Sequence, residues 1–375
     1  MNLIFIVNSI ENKENSAAFQ RAEILSTNFK AALVCKKQPP KNIENKFNEV
    51  YVYDYKYFGS FLCFLRLVLL RKKYKLVYTQ YRINTLFLGF FAKKILGMSW
   101  IYDLWDHPSL GFHMSNPINR LLKFILWRVG FHMLKACDMV VISMSDGIKK
   151  HLPKFSSKVI SVKRGYDINK YIGNKEHDFS SSNILDKTIF VIVSGWITKY
   201  RGVDNMIEIL SRLEKMQIKV TINSAGWSDL YALKKIKLHN ETHNNKLLFL
   251  GEVEKDELLN LYKKSQFGLC FLDKNVINYN YAYPIKVGEY MLNNVVVIAT
   301  NTDGVKSFIK NGNNGYTIKN EVKDTVDIIS NFNKKNHSKI LKQAEKTILE
   351  FDKSIIEKKI VKEIYKTFSY IKSNV

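Results

Sequence analysis

Acidic residues are scarce in this chain. None occurs between Asp54 and Asp103, and the 375 residues carry 34 Asp and Glu against 58 Lys and Arg, a formal charge of +24. The surplus is uneven: residues 1–170 hold 27 basic and 11 acidic side chains, a net +16, and residues 171–375 supply the remaining +8. Such a charge suits a phosphate-rich partner, so a basic nucleic-acid-binding protein is one reading. The chain lacks any helix-turn-helix, zinc-finger or RNP-like aromatic pattern, which leaves that reading resting on charge alone.

Cysteine is equally sparse. Cys35, Cys63, Cys137 and Cys270 lie far apart and form no CxxC or Cys/His pattern, so neither a disulfide framework nor a zinc site is indicated. They read as small core hydrophobes in a reducing compartment. Long apolar runs are also missing: the longest, Phe58 to Leu70, is interrupted by Arg66 and falls short of the roughly 20 residues a spanning helix needs. The opening MNLIFIVNS passes directly into ENKEN, without the basic start or small-residue cleavage pattern of a signal peptide. A cytoplasmic protein is expected. No solenoid repeat or low-complexity tract is visible.

The remaining composition is that of a globular protein, 46% hydrophobic and 25% charged, and 375 residues suffice for two or three domains. Short apolar runs recur with amphipathic segments between them. In the first half they are Leu3 to Val7, Ala32 to Val34, Val50 to Tyr53, Leu76 to Tyr78, Trp100 to Tyr102, Met139 to Ile142 and Lys158 to Val162. A second series comprises Ile189 to Val193, Val220 to Ser224, Leu247 to Leu250, Phe267 to Phe271, Val295 to Ile298 and Gly315 to Ile318. Alternation of this kind predicts βαβ units, and two series predict an α/β protein with two mostly parallel, doubly wound sheets.

The expected divisions are an N-terminal domain over residues 1–176 and a C-terminal domain over 177–345. Residues 346–375 should form a helix packing back toward the first domain, with Ile355, Ile356, Ile360, Ile364 and Phe368 at helical spacing. The Ser- and charge-rich EHDFSSSNILDK suits a hinge between the domains. Within the stretch free of acid, Lys56, Arg66, Arg71, Lys72, Lys73, Lys75, Arg82, Lys93 and Lys94 are interleaved with Phe58, Phe61, Leu62, Phe64, Leu65, Leu67, Leu69 and Leu70, then Leu86, Phe87, Leu88, Phe90 and Phe91. A helix with one apolar and one basic face can lie on an anionic bilayer. Helices that cover a parallel sheet and solvate their basic residues would read the same way.

Ligands of doubly wound sheets bind beyond the carboxyl ends of the strands, which directs attention to four segments. Ser194 to Asp204 places Gly195 at a strand end, then Lys199 and Arg201, then a helix start: backbone N–H groups and cations for a phosphate, or simply a basic surface loop. Ile298 to Lys306, with Thr302 and Gly304, leads another strand into a helix whose start could receive a diphosphate; an ordinary capped helix start fits equally. Pro284 to Met291 places Lys286 and Glu289 early in a helix, where the carboxylate can accept two ribose hydroxyl protons. Trp100 to Ser109 gathers Asp103, Asp106 and His107 with Trp105 at a strand end: hydrogen bonds, a titratable group and a stacking face for a sugar, or a loop whose Asp residues cap the next helix. His132 and His151 lie in helix-like surroundings and read as structural.

Taken together these segments resemble the bacterial retaining GT-B glycosyltransferases of family four. Gly195 to Val203 is similar to the family's G-x-x-x-x-x-K/R-G segment, and Leu248 to Val253 to its FLG-x-V turn. Pro284-x-Lys286-x-x-Glu289-Tyr290-Met291 resembles its P-x-K-x-x-E-Y-M signature, and Asn311 to Tyr316 its N/D-G-x-N-G-x turn. In the first half the likeness is looser, carried by Asp103 to Pro108, Val140 to Ser143 and Lys163 to Asp167. Three departures stand beside these matches: Tyr281 occupies the position of a second glutamate that touches the donor sugar, Trp196 replaces an Arg, and NSIENKENSAA replaces a Gly-rich first loop.

The resemblance implies two Rossmann-like domains facing a central cleft and transfer of a sugar from a UDP- or GDP-linked donor. Gly195, Lys199, Arg201, Glu252, Val253, Lys286, Glu289, Thr302 and Gly304 would bind the nucleotide-sugar. Asp103, Asp106 and His107 would orient the acceptor, Arg201 would stabilise the leaving diphosphate, and no metal or other cofactor is implied. The implied acceptor is a glycan or a lipid-linked molecule of cell-surface polysaccharide synthesis, met at the anionic inner membrane surface. No nucleic acid is expected as a partner. A GT-B-type nucleotide-sugar epimerase is the alternative within the fold.

Overall fold

The computed structural model describes residues 1–10, 17–53, 59–80, 82–107, 117–152, 154, 158–170 and 188–374. The chain divides into two compact units: residues 1–165 with 354–375, and residues 166–353. The hinge segment, Pro108, Ser109 and most of the first loop lie outside the described residues.

The first unit is built on a seven-stranded parallel sheet in the order β3-β2-β1-β4-β5-β6-β7. Its strands are β1 (Asn2–Val7), β2 (Lys30–Cys35), β3 (Glu49–Val52), β4 (Leu76–Gln80), β5 (Ser99–Leu104), β6 (Met139–Ile142) and β7 (Lys158–Ser161). The central strands are buried on both faces, which is why they read as continuous apolar runs. Between them run α1 (Ala17–Asn28), α2 (Lys41–Glu44), α3 (Gly59–Leu70), α4 (Ile83–Lys94) and α5 (Pro117–Leu134). Successive residues of β1 face opposite layers. Leu3, Phe5 and Val7 pack with Ala22 and Leu25 of α1, whereas Ile4 and Ile6 pack with Cys63 and Leu67 of α3 and Leu88 and Ala92 of α4. Gly89 lets α4 lie flat on β5, since a Cβ there would fall 2.1 Å from the Trp100 indole nitrogen.

The second unit repeats the design with β8 (Ile189–Ser194), β9 (Val220–Ala225), β10 (Lys246–Gly251), β11 (Phe267–Cys270), β12 (Val296–Thr300) and β13 (Tyr316–Ile318), ordered β10-β9-β8-β11-β12-β13 and all parallel. Its helices are α6 (Val203–Lys215), α7 (Leu230–Thr242), α8 (Lys255–Lys264), α9 (Ile277–Tyr281), α10 (Ile285–Leu292), α11 (Asp303–Lys306), α12 (Glu321–Ser330) and α13 (Lys334–Leu349). The pattern that makes α6 is plain: Val203, Met206, Ile209, Leu210 and Leu213 are buried, at the three- and four-residue spacing of one helical face.

The last helix, α14 (Lys353–Thr367), lies almost wholly in the first unit, where Ile356, Ile360, Ile364 and Phe368 join the core around Phe5 and Leu25. Ile355 is exposed, one position off that face. The Asn28 side chain donates to Glu357 at 2.5 Å, and Phe29 stacks on Tyr365 with ring centres 5.2 Å apart. All four cysteines are buried with free thiols, and burial pushes Cys35 and Cys63 up to about 12, so both stay protonated.

Candidate functional site

The order of the second sheet reverses direction at β8, whose neighbours are β9 on one side and β11 on the other. A crevice forms beyond the carboxyl ends at such a switch point. Three neighbouring strands there end in glycine: Gly195 after β8, Gly226 after β9 and Gly251 closing β10, all at positive φ. The Gly195 N–H donates to the Ala225 carbonyl and the Gly226 N–H to the Gly251 carbonyl, at 2.8 and 2.7 Å. Gly226 also tolerates no side chain, because a Cβ would sit 2.2 Å from the Gly195 oxygen. Above Gly195 and Gly251, by contrast, a Cβ would meet nothing within 4 Å, so this edge is open for a ligand to approach the backbone.

Helix α10 is fixed to this edge by Tyr290. Its hydroxyl accepts from the Ser194 N–H at 2.9 Å and donates to the Leu269 carbonyl at 3.3 Å, joining the ends of β8 and β11. Gly268 makes room for the ring, and burial raises the Tyr290 phenol well above its ordinary value, which keeps it a donor. One turn earlier and on the preceding position, α10 carries Lys286 and Glu289, both half-buried. Burial lowers Lys286 to about 8; the positive charge of Arg201 pushes the same way, against the opposing influence of Cys270 and Glu289. The three ionisable groups therefore share one electrostatic environment beside Cys270, at the end of β11.

Arg201 closes a single 3-10 turn, Lys199–Arg201, and its guanidinium lies over the Tyr279 ring at 4.4 Å. Gly202 follows in the left-handed region at φ +80°, with Phe271 so near that a Cβ would be 2.7 Å away. That tight turn starts α6 and aims Arg201 at the switch point. Lys199, two residues earlier, is exposed, its ammonium 5.6 Å from the Tyr231 ring. Tyr281, in the place of an acidic residue, is buried. Glu252 is exposed and Val253 half-buried, at the far strand β10.

Thr302 and Gly304 answer to local packing. The Thr302 hydroxyl accepts from the Val305 N–H at 3.3 Å, and the Asp303 N–H donates to the Asn280 side chain at 3.3 Å. Gly304 touches the Ala282 carbonyl so closely that a Cβ would fall 1.9 Å from it. Helix α11 is four residues long, and two of its leading N–H groups are taken, as in an ordinary capped helix start.

In the first unit the three candidate residues separate. Asp103 is the penultimate residue of β5 and fully buried. Its carboxylate binds the Arg21 guanidinium of α1 at 2.6 Å and accepts from the Tyr78 hydroxyl at 2.7 Å. Burial opposes the Arg21 charge, but Asp103 and Tyr78 outweigh it and raise the guanidinium above its ordinary value. This geometry makes Asp103 the anchor of a buried ion pair. His107 is buried beside Phe131 and His151, ring centres 6.1 and 6.4 Å away, and burial lowers it to about 4, so the imidazole is neutral at pH 7. Asp106 is half-buried in the turn between them.

Sequence reasoning passed over a cavity of about 270 Å³ in the same unit. It lies beyond the carboxyl ends of β1 and β2, between the first turns of α3 and α4. Asn8, Lys36, Ser60 and Asn84 are among its polar lining, with the Asn84 amide donating to Asn8 at 3.0 Å. Four separate segments supply these residues, and none of them carries a motif. Among the described residues no group of three or more His, Cys, Asp or Glu is placed to hold a metal ion.

The fold defines a class: two parallel α/β units of the GT-B kind. Residues 174–348 match the family described as Glycosyl transferases group 1, so the second unit is a glycosyltransferase domain and the chain a transferase. No curated protein matches the sequence. The whole chain is similar in fold to HepE of Anabaena solved with UDP, at a TM-score of 0.73 and 16% identity over 98% of this chain and 100% of that one. It is similar also to sucrose-phosphate synthase of Thermosynechococcus elongatus, at 0.72 and 11% over 98% and 99%. A third likeness is to an E. coli trehalose-6-phosphate protein bound with UDP-2-fluoro glucose, at 0.66 and 10% over 97% and 98%.

Proposed function

We propose that the chain moves a glycosyl group from a nucleotide-sugar donor, UDP-linked in preference to GDP-linked, to a glycan or lipid-linked acceptor of bacterial surface-polysaccharide synthesis, with retention at the anomeric carbon. The observation that carries this is the convergence of Arg201, Lys286 and Glu289 at the switch point of the second sheet. The choice of UDP is supported by HepE, solved with UDP and with UDP-glucose, and by the UDP-2-fluoro glucose complex.

In this reading Glu289 accepts hydrogen bonds from the ribose hydroxyls, while Arg201 and Lys286 face the diphosphate. As the bond from the anomeric carbon to the diphosphate oxygen breaks, negative charge collects on the leaving group. Cations fixed beforehand stabilise that charge more than they stabilise the bound donor, which lowers the barrier rather than merely tightening binding. Lys286 is charged below about pH 8 and gains from an anionic partner, so donor binding relieves its burial. The polar cavity of the first unit, in place of Asp103, is the seat for the acceptor.

Arg201→Ala tests this. Incubated with UDP-glucose and a membrane-lipid extract, the wild type should release UDP and form a glycosylated product, and the variant should lose transfer by on the order of 10²-fold with an unchanged circular dichroism spectrum. Undiminished transfer by the variant would remove Arg201 from the mechanism. A sugar epimerised at a ring carbon, formed with donor alone, would point instead to an epimerase.

A further inference from the structure

Large apolar side chains stand exposed on the outer surface of α3, α4 and α5. Helices α3 and α4 cover one face of the first sheet, α5 packs against α4 through Gly130, and none of the three contains an Asp or Glu. On α3, Phe61, Leu65 and Leu69 recur every fourth residue and point outward, Leu69 being 70% exposed. Ile95 at the end of α4 is 61% exposed, and on α5 Leu121 and Ile125 are 62% and 50% exposed. Two of these helices bury a second apolar stripe inward, Cys63, Leu67 and Leu70 on α3 and Leu86, Leu88 and Ala92 on α4, so their outer apolar residues are surplus to folding. Arg71, Lys72, Lys94 and Arg128 stand exposed around it.

From this arrangement we infer that the α3–α4–α5 face docks on an anionic lipid bilayer. Large apolar side chains without a single carboxylate among them suit insertion at the headgroup–acyl boundary, and the surrounding Lys and Arg complement lipid phosphate. Among the described residues no helix is long and apolar enough to cross a membrane, so binding would be along the surface. A protein partner would be expected to offer this face carboxylates as well as apolar groups. A bilayer of anionic lipid supplies the matching charge and the apolar depth at once. The cavity described above opens between the first turns of these same helices, α3 and α4. Resting on the transferase reading, this places the acceptor pocket beside a membrane from which a lipid-borne hydroxyl or phosphate can enter.

The full-length chain is sedimented with vesicles of phosphatidylglycerol or of phosphatidylcholine. Wild type should bind the first, weaken as salt is raised, and ignore the second. The triple variant Leu65→Ser, Leu69→Ser, Ile95→Ser, confined to exposed positions, should bind phosphatidylglycerol at least about tenfold more weakly, with an unchanged melting temperature. No wild-type binding, equal binding to both lipids, or unchanged binding by the variant would overturn the inference. So would a wild-type dimer in gel filtration that the same substitutions dissociate. A UDP-induced rise in melting temperature, measured in parallel, reports the donor site independently, so loss of one result leaves the other readable.

Discussion

Lys286 is the residue whose environment differs most from its sequence appearance. The P-x-K-x-x-E motif marks it as a donor-binding lysine but says nothing of its burial, which with the neighbouring Arg201 brings it to about 8. It is therefore charged below that pH and progressively neutral above it. Affinity for UDP should fall as pH rises through about 8, and Lys286→Met should bind UDP more weakly with that dependence gone; a Lys286→Met variant that keeps the same pH profile would show the titration belongs elsewhere. Asp103 illustrates the converse. Asp103, Asp106 and His107 cluster in sequence as an active site would, but a strand alternates its faces, and Asp103 turns into the core toward Arg21, 82 positions away. Neither the face nor the distant partner can be read from the local run.

At the scale of elements, the strands were legible and their fastenings were not. Parallel strands buried on both faces announce themselves as apolar runs, so all thirteen expected segments coincide with strands to within a residue or two at their ends. The P-x-K-x-x-E-Y-M segment was equally clear as a helix start, but the task of its Tyr290, clamping α10 to β8 and β11, depends on a contact 96 residues apart. Removing that hydroxyl leaves the buried Ser194 N–H without its acceptor. Tyr290→Phe should cost about 1–3 kcal/mol in urea unfolding, with the slope unchanged, and should weaken UDP binding because Lys286 and Glu289 ride on the same helix. Unaltered stability would mean the clamp is dispensable. The short α11 shows the limit from the other side: small polar residues before a Gly fit a phosphate-binding helix start and a capped turn equally, and the close packing of Gly304 against Ala282 has no local sequence signal.

For the whole molecule, two doubly wound parallel sheets follow from the alternation of strands and helices, whereas the division of labour between the units follows from their surfaces. The second unit concentrates cations at one switch point; the first carries a polar cavity and an acid-free apolar face. The cavity escaped sequence reading because it is assembled from β1, β2, α3 and α4, each unremarkable alone. The central claim is that the second unit binds the nucleotide diphosphate through Arg201 and Lys286. Isothermal calorimetry of UDP into the full-length wild type and Arg201→Ala at pH 7 measures it directly. The wild type should bind with a saturable 1:1 isotherm and the variant at least about tenfold more weakly, a loss of about 1.4 kcal/mol; no wild-type binding, or equal affinity in both proteins, would contradict it.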